Sequence, residues 1–189
     1  MHTFEKYLAS FTALPPASMR ALLDLFAPVA LQKGDHLAIE GEFAKSLAFV
    51  ETGVLRAYYR SPKGEEFNKL FFTNPSIVGA YSSLITGQQN MINIQCLTDC
   101  QVVQTHFKRI LALYEDYPLI ERLNRVIAED FFVKKERREM SLVMNDASER
   151  YALFQQEYPE VESQVAQYHI ASYLGITPTQ LSRIRAKKG

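Results

Sequence analysis

Residues 175–189 read "GITPTQLSRIRAKKG" and hold the side chains best suited to chemistry on a partner. With Leu181 and Ile184 placed inward on a helix of about 100° per residue, Thr179, Ser182, Arg183 and Ala186 turn outward. Gln180, Arg185 and Lys187 flank that side, and Thr177 precedes it. Short polar side chains near a helix start, with one Arg able to fork onto two acceptors, suit base edges and phosphates in a major groove. From Ser163 onward there are four Lys/Arg and no Asp or Glu, although the 189-residue chain has 21 basic and 21 acidic residues and is neutral overall. The asymmetry suggests a polyanionic partner for the C-terminal end and none for the body, with a soluble charged tail as the alternative on charge alone.

Elsewhere reactive residues are sparse. Cys96 and Cys100 are spaced C-x3-C across an expected strand and turn, and read as small buried residues of a β-domain, with a redox pair as the alternative. His2, His36, His106 and His169 are scattered, and neither H-x-H nor H-E-x-x-H occurs. There is no Gly-rich phosphate loop and no nucleophile elbow. No enzyme, metal or cofactor is expected. The N-terminal "MHTFEKYLASF" places Glu5 and Lys6 before any apolar run, unlike a signal peptide. No stretch approaches the roughly 20 apolar residues of a membrane span, so a cytoplasmic protein without a membrane partner is expected.

The elements that must hold the outward face are legible around it. In "QYHIASYLGITPTQLSRI", Gln167–Ile184, Ala171 is the small residue for a helix crossing and Gly175 supplies a turn with positive φ. Ile170, Leu174, Ile176, Leu181 and Ile184 form the packing face. Thr177 fits the N-cap of the second helix, with Pro178 at its first position and Gln180 completing a capping box. The pattern predicts a helix-turn-helix; a hairpin used only for packing has no need of an acid-free basic face.

Upstream, "NDASERYALFQQEYPEV" predicts a helix opened by an Asp146–Glu149 capping box and closed at Pro159. Between Pro118 and about Val143, Leu119, Val126, Val133 and Met140 recur every seventh residue, and Ile120, Leu123, Ile127 and Phe131 form a second row. Two apolar rows imply two partners. One is read as lying on the β-domain and the other on the same helix of a second copy, with Leu119, Leu123, Val126, Ile127 and Val133 assigned to the dimer helix; a helix buried wholly within one chain is the alternative. The run "KKERREM", 134–140, reads as a solvated face of mixed charge. Between Val29 and Phe107 turn signals recur about every ten residues between short apolar runs, which indicates an antiparallel sandwich or barrel; residues 3–27 read as two short helices broken at Pro15 and Pro16.

This order of parts, β-roll, long helix and helix-turn-helix, resembles the Crp/Fnr-type bacterial transcription regulators. "LQKGDHLAIEGEFAKSLAFVETGVLRAYY" is similar to the opening of their cyclic-nucleotide-binding fold, with Gly34, Gly41, Ser46, Phe49 and Gly53 at the expected places, and "SPKGEEFNKLFF" resembles the hairpin that follows. The resemblance implies an α+β protein: an antiparallel, jelly-roll-like β-roll sensor domain (1–117), a long dimerisation helix (118–144) and a C-terminal winged-helix-like helix-turn-helix (145–189), with no room for a β-hairpin wing before Gly189. It also implies a homodimer on palindromic double-stranded DNA, with RNA polymerase as a further partner.

In cyclic-AMP-binding members a Glu of the phosphate cassette holds the ribose hydroxyl, and an Arg-Ser pair holds the phosphate. The matching stretch here is "GAYSSLITGQQNMINIQC": Gly79 is kept, Ala80 replaces the Glu, Asn90 the Arg and Met91 the Ser, with Tyr81 and Ser82 beside them. A phosphate without its Arg is an anion poorly paired in a partly buried site, at a cost on the order of several kcal/mol. Neither cyclic AMP nor cyclic GMP is therefore expected to bind, which leaves an unidentified small-molecule effector or none. Two cysteines are too few for the family's iron–sulfur cluster. At the second helix many members carry Arg-Glu where this chain has Pro178 and Thr179; Ala166 stands at the usual capping Thr, and only Arg183 matches the later family Arg. A ligand-binding or protein-interaction module of the same fold that has lost specific DNA reading stands as the alternative function.

Overall fold

The computed structural model describes residues 2–187; Met1, Gly189 and Lys188, one of the four C-terminal basic residues, lie outside it. Two helices, α1 (His2–Phe11) and α2 (Pro16–Leu23), precede eight strands: β1 (Ala27–Leu31), β2 (His36–Ala38), β3 (Ser46–Thr52), β4 (Leu55–Arg60), β5 (Glu66–Phe72), β6 (Ser76–Val78), β7 (Asn93–Cys96) and β8 (Cys100–His106). A short helix, α3 (Tyr81–Thr86), interrupts the strands. After them come α4 (Phe107–Leu111), α5 (Pro118–Met144), α6 (Ala147–Glu157), α7 (Val161–Gln164), α8 (Gln167–Leu174) and α9 (Pro178–Ala186). The strands form two four-stranded antiparallel sheets, ordered β1-β8-β3-β6 and β2-β7-β4-β5. Pro28 lies within β1 because that strand is an edge, where a missing N–H breaks no ladder.

Both sheets carry buried apolar residues on both faces, and the strand sequences explain why. In β3, Ala48 and Val50 point into the roll with Val102, whereas Leu47 and Phe49 point outward with Val103. That outer face is covered by Phe4, Leu8, Met19, Leu22 and Leu23 of α1 and α2, and by Ile120 and Leu123 of α5. In β5 the adjacent Phe71 and Phe72 split the same way: Phe72 joins the roll interior, and Phe71 joins a third core with Tyr151, Phe154, Ile170 and Leu181. The C-terminal helices therefore complete their core with Val54, Phe71 and Leu97 of the roll.

Helix α5 settles which apolar row faces where. It has 27 residues and is about 40 Å long at ~1.5 Å per residue. Leu123 has no exposed surface and so does not lie on a dimer seam as the spacing suggested, while Ile127, half-buried, packs beside it against the chain's own core. Leu119 and Val126 are half-buried, and Val133 and Met140 are exposed. Arg138 also departs from the expected solvated run. Its guanidinium lies 3.6 Å from the Tyr173 ring centroid and donates to the Tyr173 carbonyl, tying α5 to α8. The neighbouring pairs Asp130–Lys134 (2.8 Å) and Lys135–Glu139 (3.5 Å) do run along the surface of the helix.

Candidate nucleic-acid interface

The turn between α8 and α9 is built by local chemistry. Gly175 has φ +69°, a conformation that favours a residue without Cβ. Its N–H bonds the Ser172 carbonyl at 3.2 Å and the Ile176 N–H bonds Ala171 at 3.0 Å, the two closing bonds of a Schellman motif. Thr177 Oγ1 then accepts from the Gln180 N–H at 3.2 Å, and Gln180 Oε1 accepts from the Thr177 N–H at 2.9 Å. The reciprocal cap satisfies donors that the first turn of α9 leaves open. Leu181, fully buried, and Ile184 fix α9 to the core.

This placement leaves Thr177, Thr179, Gln180, Ser182, Arg183 and Lys187 exposed. Gln180 uses its carbonyl oxygen in the cap, so its amide N–H groups are what it can offer outward. Arg183 lines a cleft of about 330 Å³ with Asp146, Ala147, Ser148, Gln180 and Ile184, and among the described residues it has no ion pair. Arg185 is different. Its Nε lies 3.1 Å from Glu162 Oε1, and the Glu162 carboxylate also accepts from Tyr151 Oη (2.6 Å) and Gln155 Nε2 (3.2 Å). Burial and the adjacent Glu162 push the Tyr151 hydroxyl up to about 12, so it remains a donor there. Arg185 thus ties α9 to its own module, a role that helix geometry alone did not reveal.

The cassette 79–91 supplies no cation of its own. No Lys, Arg, Asp or Glu occurs between Gly79 and Thr98. Asn90 is buried; its Nδ2 donates to the Ile39 and Ile92 carbonyls, and its Oδ1 accepts from the Ile92 N–H at 3.2 Å. Its backbone adds bonds to Gly41 (2.8 Å) and Glu42 (2.7 Å), so the residue staples two loops together. Ala80 is buried in the roll core, and Gly79 sits where a Cβ would come 3.0 Å from Leu47 Cδ1. Ser82 and Met91 point to solvent, and the Tyr81 ring packs edge-on against Phe107 at 6.0 Å. Ser83, which the motif comparison passed over, is buried: its Oγ accepts from the Ala44 N–H (3.1 Å) and donates to the Gln88 carbonyl (2.6 Å).

Residues 28–117 match the cyclic nucleotide-binding domain family. Over 86% or more of its length the chain is similar in fold to solved structures, among them a putative transcriptional regulator of the Crp/Fnr family. FixK2 from Bradyrhizobium japonicum has a TM-score of 0.75 at 19% identity, over 86% of this chain and 83% of that one. The c-di-GMP-responsive global regulator CLP of Xanthomonas campestris scores 0.70 at 14% identity, over 92% and 91%. The catabolite activator protein of Thermus thermophilus scores 0.60 at 18% identity, over 94% and 84%. The second and third are by name a global regulator and a catabolite activator. A comparison with curated protein sequences finds no match.

In the β-roll, Cys96 and Cys100 flank the β7–β8 turn and are both buried. The hydrogen bond to Cys100 and burial push the Cys96 thiol up. Among the described residues, no group of three or more His, Cys, Asp or Glu is placed to hold a metal ion, and no helix is long and apolar enough to cross a membrane.

Proposed function

We propose that this chain is a homodimeric, sequence-specific DNA-binding transcription regulator in which α9 enters the major groove of each half of a palindrome. The observation that carries the reading is the outward face of α9: Thr179, Ser182 and Arg183 are exposed and acid-free on a helix whose start and underside are fixed by the Thr177–Gln180 cap and by Leu181. Similarity to Crp/Fnr-family regulators supports it. The row Leu119, Val126, Val133 and Met140 on α5 is the seam between copies, and RNA polymerase is the machinery on which such a regulator acts. Selection from random duplex DNA tests the reading. A recovered palindrome with half-sites about one helical turn apart supports it; weak, unselective, salt-sensitive binding points to a module that no longer reads DNA.

The effector cassette does not take cyclic AMP or cyclic GMP. An uncharged stretch whose one buried polar group at the Arg position, Asn90, is already bonded to Ile39 and Ile92 offers a phosphate no cation. Calorimetry with either nucleotide is expected to show no saturable heat, and saturation in the micromolar range would overturn this. Any effector is a molecule of other chemistry.

A further inference from the structure

The polar cluster between β4, β5 and α8 belongs neither to the roll core nor to the outward face of α9. Arg56 on β4 has only 4% of its surface exposed. Its Nε and Nη2 donate to Gln95 Oε1 at 3.1 and 2.7 Å, Nη1 donates to Asn68 Oδ1 at 3.1 Å, and Nη2 lies 2.6 Å from Glu66 Oε2. Nη1 also lies 3.2 Å from His169 Nδ1 on α8. Since Asn68 Nδ2 approaches the same nitrogen at 3.3 Å, His169 Nδ1 is the acceptor and the ring is neutral.

The second half of the contact is a strand edge. β5 is the outer strand of its sheet, and its free backbone groups would ordinarily face water or another strand. Here the Asn68 N–H donates to Ser172 Oγ at 3.0 Å, and Ser172 Oγ–H donates to the Glu66 carbonyl at 3.0 Å. Asn68 Nδ2 adds a bond to the His169 carbonyl at 2.8 Å. One serine hydroxyl thus serves a donor and an acceptor of the edge, while Phe71 packs 5.4 Å from Tyr173 beneath it.

We propose that Arg56 is a positioning residue for DNA reading: through Asn68, His169 and Ser172 it latches α8 to β5 and so sets the direction in which α9 presents Arg183. The inference rests on the DNA-binding reading above. The latch leaves the outer face of α9 free, so the docked arrangement presents that face and does not cover it. A palindrome demands that two recognition helices be set at a fixed separation and angle, whereas a single half-site demands only one folded module. Loss of the latch therefore acts on the full site and spares the half-site.

The test uses the full-length chain carrying Arg56→Met, which keeps volume and removes the guanidinium, and in parallel Ser172→Ala, which removes the strand-edge bonds without leaving an unpaired charge. Affinity is measured on the selected palindrome and on a lone half-site, and spin-label distances are measured between positions 63 and 156, one on the roll and one on α6. The expected result is a loss of tenfold or more on the palindrome, less than twofold on the half-site, and broadened distances, with Ser172→Ala shifting in the same direction by less. Tighter palindrome binding makes the contact inhibitory and overturns the proposal. Unchanged distances in both variants overturn the latch whatever the DNA result, and broadened distances with unchanged palindrome affinity overturn its role in reading. An unsubstituted chain that binds no palindrome overturns the DNA reading itself, and is seen before any variant is compared.

Discussion

Arg56 Nη1 and His169 Nδ1 lie 3.2 Å apart although 113 residues separate them in the chain, and the contact joins the β-roll to the first helix of the helix-turn-helix. Burial first, then the charges of Arg56 and Lys33, lower His169 from its ordinary 6.5 to about 4, with Glu66 opposing. Between those values the unfolded chain binds a proton that the docked chain refuses, so stability rises with pH across that window and is lost as pH falls from about 6.5 toward about 4. The effect is on the order of 3 kcal/mol at most. Urea midpoints are expected to drop between pH 7.5 and pH 5, and His169→Gln to flatten that slope. An equal slope in the variant would assign the acid sensitivity to other groups.

The two arginines of α9 separate by readout. Arg183→Ala is expected to weaken binding to the selected palindrome by roughly 1–3 kcal/mol with an unchanged melting temperature. Arg185→Ala removes the cation beside Glu162, which keeps Tyr151 and Gln155 as donors, and is expected to lower stability by about 1 kcal/mol, because the ion pair is only partly shielded from water. Fluorescence anisotropy and thermal melts on both variants check the assignment; a melting temperature lowered by Arg183→Ala would sink it.

On α5, opposite substitutions are expected to fail in opposite ways. Val133→Glu with Met140→Glu should yield a folded monomer in sedimentation, since both side chains are exposed on one copy. Leu123→Ala should leave the oligomeric state alone and destabilise the chain by about 2–5 kcal/mol through the cavity it opens. A Leu123→Ala protein that dissociates while keeping its stability would return that residue to the seam.

Gly53 carries a stronger constraint than the other turn glycines. Its φ is +92°, and a Cβ there would lie 2.5 Å from the Asp99 carbonyl oxygen and 2.6 Å from Cys100 Sγ. Gly53→Ala is expected to destabilise by more than about 2 kcal/mol, whereas Gly87→Ala, with nothing within 4 Å of its Cβ, is expected to lose only about 1 kcal/mol from its positive φ. Denaturant titration of the pair checks the difference.

The sequence by itself determined whatever depends on neighbours three to five residues apart. The Gly175 turn, the Thr177–Gln180 and Asp146–Glu149 caps and the outward side of α9 follow from local backbone geometry, and the structure forms both caps where those residues stand. The uncharged cassette was legible too, because a missing Arg is missing in any fold. Tertiary structure alone decided which partner each side chain took. Heptad spacing marks two apolar rows on α5, yet only the packed helices α1 and α2 turn Leu123 and Ile127 inward. Arg138 and Arg185 read as solvent-facing and nothing local marked Arg56 or His169, because burial of a polar group is favourable only when its partner arrives, and those partners lie on distant strands and helices. One local hint did exist: the adjacent Phe71 and Phe72 make β5 apolar on both faces, and such a strand must be covered twice.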